Sequence, residues 1–301
     1  MFGKHFLILC SIFSICFAPA QACAKPVAGE PILTPFTGAV RHYSQEAART
    51  EPVPDARAGI VPHHGLASEI VARFYNAFPD EAVLVVLIGP DHFMAGRSSI
   101  TLSQIPWRAV NRILETDSDA VAILSRTGAI GIESIPFRLE HSIGLHIDFI
   151  ARSFPKAKVA ALMVKNSASP RELSKIVGPL SELLEKKEAL LILSMDFSHE
   201  KTPEEARRED DKSIEHLLSF VKEPLAGLDI DAPAAARLFL DVLESRGIKN
   251  GFVLERTNSS VIIGDPDALC TSYATILFSS GEVTNDSRNC RGGKLPSVIR
   301  Q

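Results

Sequence analysis

The stretch Val83-Leu84-Val85-Val86-Leu87-Ile88-Gly89-Pro90-Asp91-His92 decides the fold. Six apolar residues follow one another without polar alternation, and four of them are β-branched. That is the pattern of a short strand covered on both faces, which parallel sheets require. Gly89-Pro90 then stops the strand and delivers two polar residues at its carboxyl end. Working outward, Gly59-Ile60-Val61, Val159-Ala160-Ala161-Leu162-Met163-Val164 and Leu190-Leu191-Ile192-Leu193 repeat the pattern. Segments 68–78, 141–154, 171–186, 203–221 and 233–245 place apolar residues three and four apart, the period of an amphipathic helix. Strand and helix alternate, so the chain reads as a single-domain α/β sandwich with a mainly parallel or mixed sheet flanked by helices. Phe252-Val253-Leu254 and the run from Tyr273 to Phe278 close the sheet late, and no internal repeat is present.

The ends differ from this body. Lys4 and His5 precede the apolar run 6–17, and Ala18-Pro19-Ala20-Gln21-Ala22-Cys23-Ala24 supplies small residues. This is the layout of a secretory signal peptide over 1–24, with cleavage after Ala22 or Ala24. The apolar run falls short of the roughly 20 residues of a spanning helix, so no stable membrane span is expected. The expected location is periplasmic or extracellular, with a lipoprotein through Cys23 ranked second. Segment 25–57, rich in Pro, Ala and charge, reads as a linker or lead-in, 58–280 as the folded domain and 281–301 as a flexible tail. In an oxidising compartment Cys270 and Cys290 either pair or leave Cys270 buried and Cys290 free. With 301 residues and 46% hydrophobic content, global disorder is excluded. A formal charge of −4 provides no basic field for a nucleic-acid backbone.

Chemistry is concentrated just beyond the strands. Ile60-Val61 leads to Pro62-His63-His64-Gly65, Ile88 to Gly89-Pro90-Asp91-His92, and Leu193 to Ser194-Met195-Asp196-Phe197-Ser198-His199. Ligands bind at the carboxyl edge of open α/β sheets, so these histidines are placed to share one crevice. Glu140-His141-Ser142, followed by His146, opens a helix with Ser142 as its expected cap. A lone histidine at a strand end is more often a hydrogen-bonded loop residue than a ligand. Three at strand ends point instead to a metal, since neutral imidazole is the commonest metal ligand. His64 reads as structural, His42 and His216 as solvent-exposed, and Asp91 and Ser198 as partners for turn backbone.

At these residues the chain resembles the MEMO family, protein B of the AmmeMemoRadiSam system. The matches are Pro62-His63-x-Gly65, Gly89-Pro90-x-His92, Glu140-His141-Ser142 with His146, and Ser194-x-Asp196-Phe197-x-His199. The resemblance implies a fold like that of class III extradiol dioxygenases. It also implies a metal held by His63, His92 and a later cysteine, with His141, Asp196 and His199 lining the pocket. Here the cysteine motif falls opposite Asp229-Ile230-Asp231-Ala232-Pro233. Asp231 is the expected third ligand, with Asp229 as the alternative. Two further departures are Phe93, where a second histidine often follows, and the lack of the family's aromatic N-terminal segment before Arg57. Exchanging thiolate for carboxylate produces a two-histidine, one-carboxylate set, for which Fe(II) is favoured over Cu, Zn or Mn.

The expected function is a metal-dependent, dioxygenase-like oxidoreductase acting on a small molecule, with His199, oriented by Asp196, or His141 as acid or base. Two alternatives stand beside it. One is a non-catalytic module that binds metal or a peptide in the same crevice, and the other is a zinc-type hydrolase using a metal-bound water.

Overall fold

A computed structural model describes residues 32–38, 40–186 and 188–281. The leader expected over 1–24, the tail expected beyond Gly281 and Cys290 lie outside the described residues, and so does any pairing of the buried Cys270 with Cys290. The chain begins with β1 (Ala56–Val61), α1 (Ser68–Asn76) and β2 (Leu84–Pro90). An insertion follows, made of β3 (Ile100–Leu102), β4 (Trp107–Arg108), β5 (Ile113–Leu114), α2 (Ser118–Ser125) and β6 (Gly131–Ile132). The second half runs through α3 (His141–Ser153), β7 (Lys158–Val164), α4 (Pro170–Lys186), β8 (Ala189–Ser194) and α5 (Pro203–Leu218). It ends with α6 (Pro233–Ser245), β9 (Asn250–Asn258), α7 (Ser259–Ile263) and β10 (Ser272–Ser279).

Eight strands form one mixed sheet in the order β6-β3-β7-β2-β8-β1-β10-β9, and β4 pairs with β5 in a separate hairpin. The four central strands β7, β2, β8 and β1 are parallel. β3 runs antiparallel to β7 at one side, and at the other β10 runs antiparallel to β1 and β9 antiparallel to β10. All seven residues of β2 are buried. Leu84, Val86 and Ile88 pack with α4 and α6 through Leu173, Ile176, Leu180 and Leu238. Val85 and Leu87 belong to the opposite core, with Ile70, Val71 and Phe74 of α1 and Ile143, Ile147 and Ile150 of α3. Both faces are thus dry, which is why the strand sequences lack polar alternation. Truncating such a residue to Ala costs about 2–5 kcal/mol, so the sheet edge that these strands hold in place is a stiff platform.

The described part of the lead-in lies against this body. Leu33 bridges to Trp107, Tyr43 stacks on Phe149 at 5.8 Å, and Ala48 is fully buried. Position 144 must be glycine for this path, because a Cβ there would overlap the Phe36 carbonyl. Among the described residues no helix is long and apolar enough to cross a membrane.

Candidate metal centre

Register places the three strand ends side by side. Val61 pairs with Ser194 and Ile88 with Leu193, so the segments leaving β1, β2 and β8 emerge at one level of the sheet. His63 follows β1 and is 2% exposed. Its backbone N–H donates to Asp196 Oδ1 at 3.0 Å, and its Nδ1 lies 2.9 Å from Ser194 Oγ. These contacts aim Nε2 into the crevice.

His92 is held by a different arm. Asp91 accepts the N–H groups of Ala95 and Gly96, shaping the loop after β2. The buried Glu140 then accepts from the His92 backbone N–H at 2.9 Å, while its other oxygen sits 2.8 Å from His92 Nδ1. That second oxygen also accepts the Ser142 N–H at 3.0 Å, so Glu140 is the N-cap of α3. The expected cap, Ser142, sits inside the first turn and donates its hydroxyl to the Pro90 carbonyl at 2.9 Å instead. A Cβ at position 89 would come within 2.8 Å of that hydroxyl, so Gly89 lets α3 approach the end of β2.

Asp231 closes the third side, just ahead of α6. Its Oδ1 accepts the Asp196 backbone N–H at 3.0 Å, and its carbonyl accepts from Asn166 Nδ2 at 2.7 Å. Oδ2 is buried and has no hydrogen-bond partner, yet it faces His63 Nε2 at 2.9 Å and His92 Nε2 at 3.5 Å. Short separations without hydrogen-bond geometry are what ligand atoms aimed at a common point produce. Atoms about 2.1 Å from one ion at angles of roughly 90–110° stand about 3.0–3.4 Å apart. Asp229 is turned away and pairs with Lys201 at 3.4 Å.

The surrounding residues complete the picture. The His141 ring stacks on His92 at 4.6 Å and meets the edge of His63 at 5.1 Å. Two overlapping groups have donor atoms within 4.8 Å of one another: His63, His92 and His141, and His63, Asp196 and Asp231. His63 belongs to both. Asp196 does not serve His199 as expected. One of its oxygens is taken by the His63 backbone and the other lies 3.9 Å from the His63 ring, while His199 stays exposed at the rim. His64 points elsewhere, stacked on Tyr273 at 5.6 Å with its Nδ1 accepting the Leu66 N–H. Ser198 donates to the Asp210 carboxylate at 2.8 Å and, at 3.4 Å, to the Ala206 backbone carbonyl of α5.

Charge follows from the mixture. Burial opposes protonation of His63, but Asp196 and Asp231 outweigh it and raise its pKa. Burial also opposes the charge on His92, and Asp231 and Glu140 overcome it, lifting its pKa to about 10. Burial would raise the pKa of Asp231, yet the two imidazoles hold it well below the usual carboxylate range. Burial and the neighbouring His63 and His92 push His141 down to about 4, leaving it neutral. Asp196 is pushed up, first by burial and then by Asp231.

The sequence reading gave no role to Glu140, Ser194, His146 or Asn166. Asn166 follows β7, so the rule that flagged the histidines also covers it. Glu140 was readable as the carboxylate beside a histidine that metal sites commonly include.

Fold and site together define an α/β sandwich with a histidine–carboxylate centre at the carboxyl edge of its parallel strands. Residues 39–277 match the family described as Memo-like protein, and the chain belongs to that family. A MEMO1 family protein of Methanopyrus kandleri is 25% identical over 239 residues, 74% of this chain and 83% of that protein. Another from Pyrobaculum arsenaticum is 25% identical over 275 residues, covering 84% and 95%. A crystal structure of an uncharacterized Escherichia coli K12 protein aligns with 73% of this chain and 99% of its own, at 12% identity and a TM-score of 0.46.

Proposed function

We propose that the protein is a metal-dependent redox enzyme of the non-haem iron type, with His63, His92 and Asp231 holding the metal and a small molecule as substrate. The observation that supports it most directly is the convergence of Asp231 Oδ2 on two imidazole nitrogens, 2.9 Å from His63 Nε2 and 3.5 Å from His92 Nε2. Two imidazoles and one carboxylate are the donor set of non-haem iron oxygenases, and an iron bound there would supply a redox-active Lewis acid with positions open to substrate or dioxygen. The chain's own residues do the rest. Glu140 and Asp196 fix the approach of His92 and His63. Neutral His141, stacked over His92, is the group placed to take a proton from a bound substrate, while His199 is exposed to solvent. The leader sequence would place this chemistry outside the cytoplasm.

Metal content of natively purified protein, compared with H63A and H92A, tests the site. The expected result is about one equivalent of metal in the wild type and loss in both variants. Unchanged stoichiometry in the variants ends the proposal. Oxygen uptake by the iron-loaded protein over catechol-like compounds, against the metal-free form, tests the reaction. A second reading, a module that binds metal and an apolar or peptide ligand without turnover, draws support from Phe93, Met94 and Leu139. These residues adjoin His92 and Glu140 in sequence and are 56%, 54% and 63% exposed. Metal binding with no oxygen uptake would favour it.

A further inference from the structure

Ser194 Oγ stands between two histidines that are distant in sequence. It lies 2.9 Å from His63 Nδ1 and 3.0 Å from His146 Nε2, and all three residues are at most 2% exposed. Ser194 ends β8 and His146 lies one turn into α3, so the contact joins a strand end, a helix and the first residue of the candidate centre. A serine hydroxyl has one proton to donate and lone pairs to accept with. Two arrangements satisfy both contacts and also use the Ser194 proton; a third, with both rings donating to Oγ, leaves that proton without an acceptor among the described residues. In one, His63 donates from Nδ1 to Ser194 and Ser194 donates to His146 Nε2. In the other, His146 donates from Nε2 and Ser194 donates to His63 Nδ1.

The two arrangements differ in what they leave at the crevice. The first frees the His63 Nε2 lone pair, which a metal ligand needs. The second puts the His63 proton on Nε2, the atom facing Asp231. His146 Nδ1 has no hydrogen-bond partner among the described residues, so Nε2, facing Ser194, is its one hydrogen-bonded ring nitrogen there. We infer that His146 and Ser194 are positioning residues that, through this two-step relay, fix His63 in the Nδ1–H form that presents Nε2 to the metal. The relay is the His63 counterpart of Glu140, which accepts from His92 Nδ1 and does the same for the second imidazole. Outer partners of this kind orient ligand rings and typically change metal affinity by about 10- to 100-fold. The inference rests on the metal-site reading above.

Substitutions at His146 separate this role from mere core filling. H146L removes the acceptor while keeping apolar volume, whereas H146Q can still accept the Ser194 proton through its Oε1. The expected result for H146L is a loss of Zn(II) affinity of at least about tenfold, measured by competition with a chromogenic chelator, with H146Q within about threefold of wild type. S194A should lose as much as H146L, and S194T should recover part of it. In zinc-loaded wild-type protein, long-range proton–nitrogen NMR of the histidine rings should show His146 protonated at Nδ1 and His63 at Nδ1. Equal affinities for H146L and H146Q, or His146 protonated at Nε2 in the zinc form, would overturn the relay. The NMR arm needs no variant, so a failure of H146L to fold does not shield the idea. Wild-type protein that binds no zinc at all would instead remove the metal-site reading beneath it.

Discussion

Glu140 makes three hydrogen bonds with one carboxylate, and two of them go to His92. With Asp231 it keeps His92 charged in the metal-free protein up to about pH 10, against an ordinary value near 6.5. A metal requires the neutral ring, so loading must expel that proton. Two opposite pH trends follow. The raised pKa of His92 contributes stability to the metal-free fold that is full below about pH 6.5 and lost as pH rises through about 10. Metal affinity should rise over the same window as proton competition fades. Calorimetry in two buffers of different ionisation enthalpy should show net proton release at pH 7, and no release would contradict this account of His92. E140Q should shift the affinity rise to lower pH while weakening metal binding by about 10- to 100-fold. Asp229 and Asp231 show where residue-level reading of the sequence ended. Both precede the same helix, two positions apart, and motif alignment alone left them open. What separates them is tertiary: the Asp196 backbone N–H captures Asp231 Oδ1, and Lys201 attracts Asp229.

Between elements, Asp210 of α5 does the fastening. Its Oδ1 accepts from the Ser198 backbone and hydroxyl and from the Ser272 hydroxyl of β10, tying the loop after β8 to a helix and to the antiparallel part of the sheet. Replacing it with alanine would strand the buried Ser272 hydroxyl and leave Ser198 only its long contact to Ala206, so D210A should lose about 1–3 kcal/mol in urea unfolding, and D210N clearly less. A loss under about 0.5 kcal/mol would show that the loop holds without it. The same elements show how far pattern reading reached. The four central strands and five long helices stand where unbroken apolar runs and period 3.6 place them, because each has a face or faces fully committed to the core. β3, β6 and the β4–β5 hairpin span two or three residues each, too short to display any period. α2 has only eight residues and was also missed, although Asp117 caps it by accepting the Ala120 N–H. α5 ends at Leu218 rather than at residue 221, since Phe220 takes a positive φ that no helix continues.

Across the whole molecule, the centre joins segments that nothing covalent holds together: the loops after β1, β2 and β8, and the approach to α6. One metal bound by His63, His92 and Asp231 adds a constraint among three of these segments, and the unfolded chain offers no such set. Binding to the folded state alone stabilises it by mass action, about 2.7 kcal/mol when free metal is 100 times the dissociation constant. For a domain of this size each kcal/mol moves the melting temperature by roughly 2–4 °C. Saturating metal should therefore raise Tm by roughly 5–10 °C, and chelator should reverse it. H63A and H92A must lose that shift even where their metal-free melting temperatures differ from wild type, since the shift reads binding and not packing. D229A, which removes the carboxylate paired with Lys201, should keep it. If D229A abolished the metal-induced shift and D231A preserved it, the orientation of the two aspartates described above would be reversed in solution, and the third ligand would have to be reassigned.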